Sequence, residues 1–162
     1  MDLRVATLAD IPELARVINA AYRAEDFFIN GDRTNAADLA QRIEGESGGF
    51  FVLDDPQRAD VLLGAVYVEL RGTRGYFGML SVDPARHGEG IARMLIEGTE
   101  RYCAANGCEA MELDVVNLRE ELPGFYSRFG YTVGEEYPFP DPAKLSRPAH
   151  LVRWSKALGK DT

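Results

Sequence analysis

Apolar positions along this chain switch repeatedly between a period near two and a period near 3.6, and each switch marks a predicted element. Leu3-Arg4-Val5-Ala6-Thr7 alternates as a short strand. Ile11, Leu14, Ala15, Ile18, Ala21 and Tyr22 then share one face of a helix, with Pro12 suited to its first turn and Thr7 and Asp10 spaced as a capping box. The period is lost over Ala24 to Arg33, where Phe27 and Phe28 sit among charges; this loop either lines a pocket or is pinned by its aromatics in the core. A short helix is predicted over Asn35 to Ile43, ended by Gly45 and the Gly48-Gly49 pair. Apolar runs at Gly49 to Leu53, Val61 to Leu70 and Tyr76 to Val82, joined by short polar turns, predict an antiparallel meander.

Beyond Val82 the pattern becomes helical again, with Ile91, Met94, Leu95, Gly98, Tyr102 and Cys103 in phase and Asn106-Gly107 as a C-terminal cap. Glu109 to Val116 returns to alternation, so strand, helix, strand implies a right-handed parallel crossover. Pro123 can open a short helix that places Leu122, Phe125, Tyr126 and Phe129 on one side and stops at Gly130. Tyr131 to Phe139 and His150 to Ser155 complete the chain as strands about a proline-rich segment, Pro138-Phe139-Pro140-Asp141-Pro142.

Composition narrows the reading. A chain of 162 residues without a linker or repeat is expected to form one domain over 1–162. No apolar run is long enough to suggest a membrane span, and Met1-Asp2-Leu3-Arg4 lacks a signal-peptide pattern, so a cytoplasmic protein is expected. A formal net charge of −8 argues against a nucleic-acid partner and suits a cationic substrate. Cys103 and Cys108 are read as buried thiols, and no metal site is expected.

Candidate chemistry enters at Val82-Asp83-Pro84-Ala85-Arg86-His87-Gly88-Glu89-Gly90-Ile91-Ala92, a strand running through a glycine loop into a helix. Backbone N–H groups at such a helix start can converge on a phosphate, and Arg86 and Arg93 add available cations. On the glycines alone, a loop that simply turns a corner is an equal reading. A second motif follows the next strand: Asn117, then Phe125-Tyr126-Ser127-Arg128-Phe129-Gly130-Tyr131.

Together, the element order and the two motifs resemble the Gcn5-related N-acetyltransferase family over essentially the whole chain. The family's signature, Gln/Arg-x-x-Gly-x-Gly/Ala, is matched by His87 to Ala92 except at its first position, where His87 stands and its side chain is read as that of a solvated loop residue rather than one with a fixed role. The resemblance implies an α/β fold of the α+β kind. It would be a mixed, mostly antiparallel sheet of six to seven strands, flanked by about four helices, with one splayed parallel strand pair. It implies acetyl-coenzyme A as cosubstrate, the pyrophosphate held by amides near His87, Gly88, Gly90, Ala92 and Arg93, and the pantetheine arm by the backbone of Leu80 and Val82 with Asn117 nearby. Tyr126 matches the general acid of the family. Glu69 and Glu112 are carboxylates that could serve as base or equally be solvated strand residues. The acceptor would meet Phe27, Phe28, Tyr76 and Phe139. A small cationic amine is the expected acceptor, with a protein N-terminus or lysine as the alternative, and a homodimer is a partner the family also implies. A non-catalytic acyl-coenzyme A sensor is the competing class.

Overall fold

The computed structural model describes residues 2–159. Seven strands form one sheet in the order β1-β2-β3-β4-β5-β7-β6. The strands are β1 (Arg4–Val5), β2 (Gly48–Asp54), β3 (Leu62–Arg71), β4 (Arg74–Val82), β5 (Ala110–Val116), β6 (Thr132–Pro138) and β7 (His150–Ala157). The helices are α1 (Ile11–Tyr22), α2 (Ala36–Glu44), α3 (Ile91–Ala105) and α4 (Leu122–Ser127). Every strand pair is antiparallel except β4 with β5. This is the mixed sheet with a single parallel pair that the crossover from β4 through α3 to β5 requires.

Two apolar layers hold the sheet. Leu14, Val17 and Ile18 of α1 and Leu39 of α2 pack on one face against Phe50, Val52, Ala65, Tyr67 and Met79. On the other face Ile91, Leu95, Ile96 and Cys103 of α3 meet Val66, Val68, Phe77, Met111, Leu113 and Val115. The helical spacing seen in the sequence is thus the spacing that reaches the sheet. Cys103 and Cys108 are both buried, and burial, reinforced by the neighbouring Cys108, pushes the Cys103 thiol up to about 12.

One irregularity in β4 positions everything that follows. Tyr67 pairs with Gly78 while Ala65 pairs with Ser81, so two steps along β3 correspond to three along β4. The extra residue sits beside Met79, whose φ of 53° is unusual for a side-chain-bearing residue. Before it, Phe77 faces α3 and Tyr76 faces α1; after it, Leu80 and Val82 face α3 and Met79 lies with the α1 layer. The bulge therefore reverses which parity of residue points to which side.

The sequence pattern overstates β1, which extends only over Arg4–Val5. Ala6 hydrogen-bonds onward to Phe50, and the chain then turns through Leu8–Asp10. Asp10 accepts from the Thr7 backbone N–H at 2.8 Å, in keeping with the capping pattern, and both its carboxylate oxygens meet Arg4.

Candidate active site

The first half of the site is built from backbone. β4 and β5 pair as neighbours only at Arg74↔Ala110, Gly75↔Met111 and Tyr76↔Glu112. Beyond that point β4 stays zipped to β3 as far as Val82 and β5 to β7 as far as Val116, so the two parallel strands part and leave their facing edges open. Leu80 and Val82 lie on the opened part of β4. This is the splayed pair expected from the resemblance. Unpaired strand edges can accept an extended ligand through main-chain hydrogen bonds.

At the end of β4 the chain enters α3 through Gly88 (φ +83°) and Gly90 (φ +78°). Gly90 is the N-cap, and no side chain caps the helix. A Cβ built at either glycine would meet no protein atom within 4 Å. Glycine is needed there for the left-handed backbone, and the surrounding space is free for a ligand. The helix start thus presents uncapped N–H groups to that open space, which suits the residues to a pyrophosphate. His87 is exposed, and Arg93 reaches Glu97 at 3.4 Å while its guanidinium lies 4.9 Å from the Phe129 ring centroid. Arg86 departs from expectation. It is no free cation, because Glu89, three residues on, reaches back in a bidentate pair at 2.8 and 2.9 Å and the buried Asp55 accepts from it at 3.2 Å. Arg86 ties the loop to the β2–β3 turn, and Glu89 is thereby turned onto an arginine. Asn117 also holds the sheet together, since its Oδ1 accepts the His150 N–H at 2.8 Å and extends the β5–β7 pairing by one residue.

The second half is built from side chains. Tyr126 of α4 is buried, with its ring 6.2 Å from Phe77 and 6.2 Å from Tyr131, and its hydroxyl has no hydrogen-bond partner among the described residues. Burial, with the nearby Tyr22 hydroxyl adding and Arg119 opposing, raises its pKa well above the ordinary phenol value. Tyr126 therefore stays protonated at any physiological pH. Tyr22, at the end of α1, is pushed up to about 12 by burial, and Tyr76 is raised by burial as well. The Tyr76 hydroxyl leans over Gly78, where a Cβ would approach it to 3.1 Å, so it is directed along β4 toward the bulge at Met79.

Glu25 lies just beyond α1 and is only 8% exposed. Its Oε2 accepts from Arg119 at 3.0 Å across 94 residues of sequence, and Arg119 also reaches Glu121 at 2.9 Å. Burial still raises the Glu25 carboxyl above the usual range, with Arg119 and Arg33 acting in the other direction. Neither the Oε1 of Glu25 nor the hydroxyls of Tyr22, Tyr76 and Tyr126 has a protein partner, yet no sealed side-chain nitrogen or oxygen lacks one among the described residues. All four atoms consequently reach open space.

The loop carrying Glu25 is clasped by the segment between β6 and β7. Ile29 bridges Leu145, the Asn30 N–H donates to Lys144 at 2.8 Å, and the Ser146 N–H donates to Phe28 at 2.8 Å. This also sorts the two predicted aromatics. Phe28 is fully buried and anchors the loop, a correction to its expected role against an acceptor, whereas Phe27 is 48% exposed and lies beneath Arg147. Phe139 follows β6 half-buried.

Glu69 does not stand free. It accepts from the Tyr67 hydroxyl at 2.6 Å and from Arg71 at 2.5 Å, which together hold its carboxyl below the usual range against the opposing effect of burial. Glu112 is likewise taken up by Arg74 at 2.8 Å and Arg153 at 3.4 Å, and Asp114 by Arg153 at 2.6 Å. Arg119 is absent from the residues singled out by the sequence, because nothing local marks a turn arginine whose partner lies on another element.

No helix among the described residues is long and apolar enough to cross a membrane, and no group of three or more His, Cys, Asp or Glu residues among them could hold a metal. Residues 14–131 match the model of the Acetyltransferase (GNAT) family. Human N-acetyltransferase 8B is 28% identical over 103 residues, which cover 61% of this chain and 45% of that protein, so the match spans less than half of its relative's length. Among solved structures, smu.2055 from Streptococcus mutans superposes with a TM-score of 0.79 at 15% identity, covering 98% of this chain and 100% of the other. Rv2747 from Mycobacterium tuberculosis, solved in complex with CoA, gives 0.70 at 16% identity over 98% and 100%.

Proposed function

The chain belongs to the Acetyltransferase (GNAT) family, and on that premise we propose that it transfers an acetyl group from acetyl-coenzyme A to the primary amine of a small molecule by direct attack. The observation that supports this reading is an opened strand edge and an uncapped start of α3 in a chain whose unpartnered, protonated Tyr126 packs its ring 6.2 Å from Phe77 of β4. When bound, the coenzyme supplies an activated acetyl group on sulfur. His87, Gly88, Gly90, Ala92 and Arg93 bind its phosphates through main-chain N–H groups, and the helix dipole favours the negative charge. Leu80 and Val82 orient the arm through backbone hydrogen bonds, with Asn117 beside it. A backbone N–H near Leu80, set by the Met79 bulge, polarises the carbonyl. Tyr126 holds a proton for the departing sulfur at all working pH values. Phe27, Tyr76 and Phe139 border the acceptor.

Glu69 is a poor choice of base in this scheme, since a carboxylate paired with Arg71 and held to the Tyr67 hydroxyl has a lowered proton affinity. The deciding measurement is thiol release from acetyl-coenzyme A with a series of small amines. Tyr126→Phe should lower kcat by about 100-fold while leaving coenzyme binding, followed by thermal shift, nearly unchanged. Unchanged turnover would remove Tyr126 as the acid, and binding with no turnover on any acceptor would favour the sensor class.

A further inference from the structure

The chain is strongly acidic, yet its charge does not gather where the acceptor would sit. Glu69, Glu112 and Asp114 are each neutralised by an arginine. What remains around the Tyr22 hydroxyl is one half-free carboxylate and one free cation. Glu25 spends Oε2 on Arg119 and leaves Oε1 open. Arg33 makes no hydrogen bond or ion pair among the described residues and lies 5.3 Å from the centroid of the Tyr22 ring. Arg33 is also within electrostatic reach of Glu25, Tyr22 and Tyr76. The two opposite charges thus both lie near Tyr22, whose hydroxyl, like those of Tyr76 and Tyr126, is unpartnered and not sealed.

Resting on the acetyl-transfer reading above, we propose that the acceptor is a zwitterionic amine of the α-amino-acid class, its ammonium docked on Glu25 and its carboxylate on Arg33. A simple cationic amine would leave Arg33 without an anion, and an amine at a peptide N-terminus carries no carboxylate beside it. Arg33 offers a fork of N–H donors suited to a carboxylate, and the phenol hydroxyls can supply further donors. Arg119 is the positioning residue that keeps Glu25 oriented.

The chemistry balances on these groups. The ammonium gives one proton to Glu25, and the freed nitrogen lone pair forms the N–C bond as the C–S bond breaks. The sulfur takes the Tyr126 proton. The second proton leaving the nitrogen restores the phenol through water, and the proton on Glu25 passes to solvent. The groups facing Glu25 from its surroundings are Arg119 and Glu121 from the turn after β5, Arg33 from its own loop, Tyr22 from α1 and Tyr126 from α4. Arg119 and Arg33 are permanently charged, so Glu25 is the group expected to set the acidic limb of the rate profile.

The test compares leucine and phenylalanine with 3-methylbutylamine, 2-phenylethylamine and the two amino-acid amides, following thiol release from acetyl-coenzyme A. The amino acids should exceed the matching amines and amides in kcat/KM by at least about tenfold. Arg33→Gln should bring that ratio close to one by raising KM for the amino acids, and Arg33→Lys should restore part of it. Thermal shift checks that both variants are folded and still bind acetyl-coenzyme A. Amines or amides that equal the amino acids, or a ratio that Arg33→Gln leaves intact, overturn the zwitterion assignment alone. Silence across both series overturns it together with the transfer reading.

Discussion

The proposed donor half of this site and the proposed acceptor half are made of different material. On the donor side, Leu80, Val82, Gly88 and Gly90 offer backbone, fixed by a sheet that parts after Tyr76↔Glu112 and by a helix with no side-chain cap. On the acceptor side, Tyr22, Glu25, Arg33, Tyr76 and Arg119 offer side chains, gathered from four separate segments and held by one buried ion pair and a clasp of backbone bonds. A backbone site tolerates many side chains but is tied to chain geometry. A side-chain site can be respecified by single substitutions while the sheet stays as it is.

If that division is right, the two halves can be broken separately. The largest stability effect is expected from Arg119→Met, which leaves the buried Glu25 without its partner and should cost about 2–3 kcal/mol. The sign with pH follows from Glu25. Its folded-state carboxyl is already raised by burial, and removing Arg119 removes an opposing influence, so it rises further. A raised carboxyl makes the native state bind a proton more readily than the unfolded chain. The loss should therefore be greatest above the folded-state value and shrink as pH falls through it toward the unfolded one. Urea denaturation at pH 5 and pH 8 checks this. The acidic limb of kcat/KM should move to higher pH, with acetyl-coenzyme A binding retained.

Gly90→Val is the converse. Forcing a β-branched residue into a left-handed N-cap costs about 1–2 kcal/mol. A distortion of that size should raise KM for acetyl-coenzyme A roughly tenfold while the acceptor KM stays within about twofold. An acceptor KM that moves as far as the donor KM would join the two halves into one unit.

Gly78→Ala should be the mildest. The added methyl presses on the Tyr76 hydroxyl at 3.1 Å, and a shift of that side chain should change kcat by a few-fold with coenzyme affinity unaltered. A loss of coenzyme binding instead would mean that the bulge itself had moved.

The same division explains what could be read in the amino-acid sequence. The meander, the crossover helix and the glycine loop are visible because each is written in local spacing, and the structure contains all three. The acceptor side is assembled from long-range pairs that leave no local trace: Glu25 with Arg119, or Ile29 with Leu145. Local composition even misleads, as with Arg86, whose apparent freedom is cancelled by Glu89 and by Asp55 from a distant turn. Phe28 misleads in the same way, since an aromatic among charges is equally the mark of a loop pinned to the core.

Met79 shows what kind of change this architecture would tolerate least. The bulge works like a one-letter insertion in a two-letter code: every residue after it in β4 is read on the opposite face from its number. Most substitutions alter one word and leave the frame intact. Deleting Met79 would restore strict alternation and leave Leu80 and Val82 on the α3 side they already occupy, so it would remove only the bulge and the main-chain direction the bulge gives to the opened edge of β4. Inserting one more residue there would instead turn Leu80 and Val82 away from the α3 layer, so the insertion should be far more damaging than the deletion or than most substitutions nearby, and a compensating deletion within β4, rather than a second-site substitution, is what should rescue it.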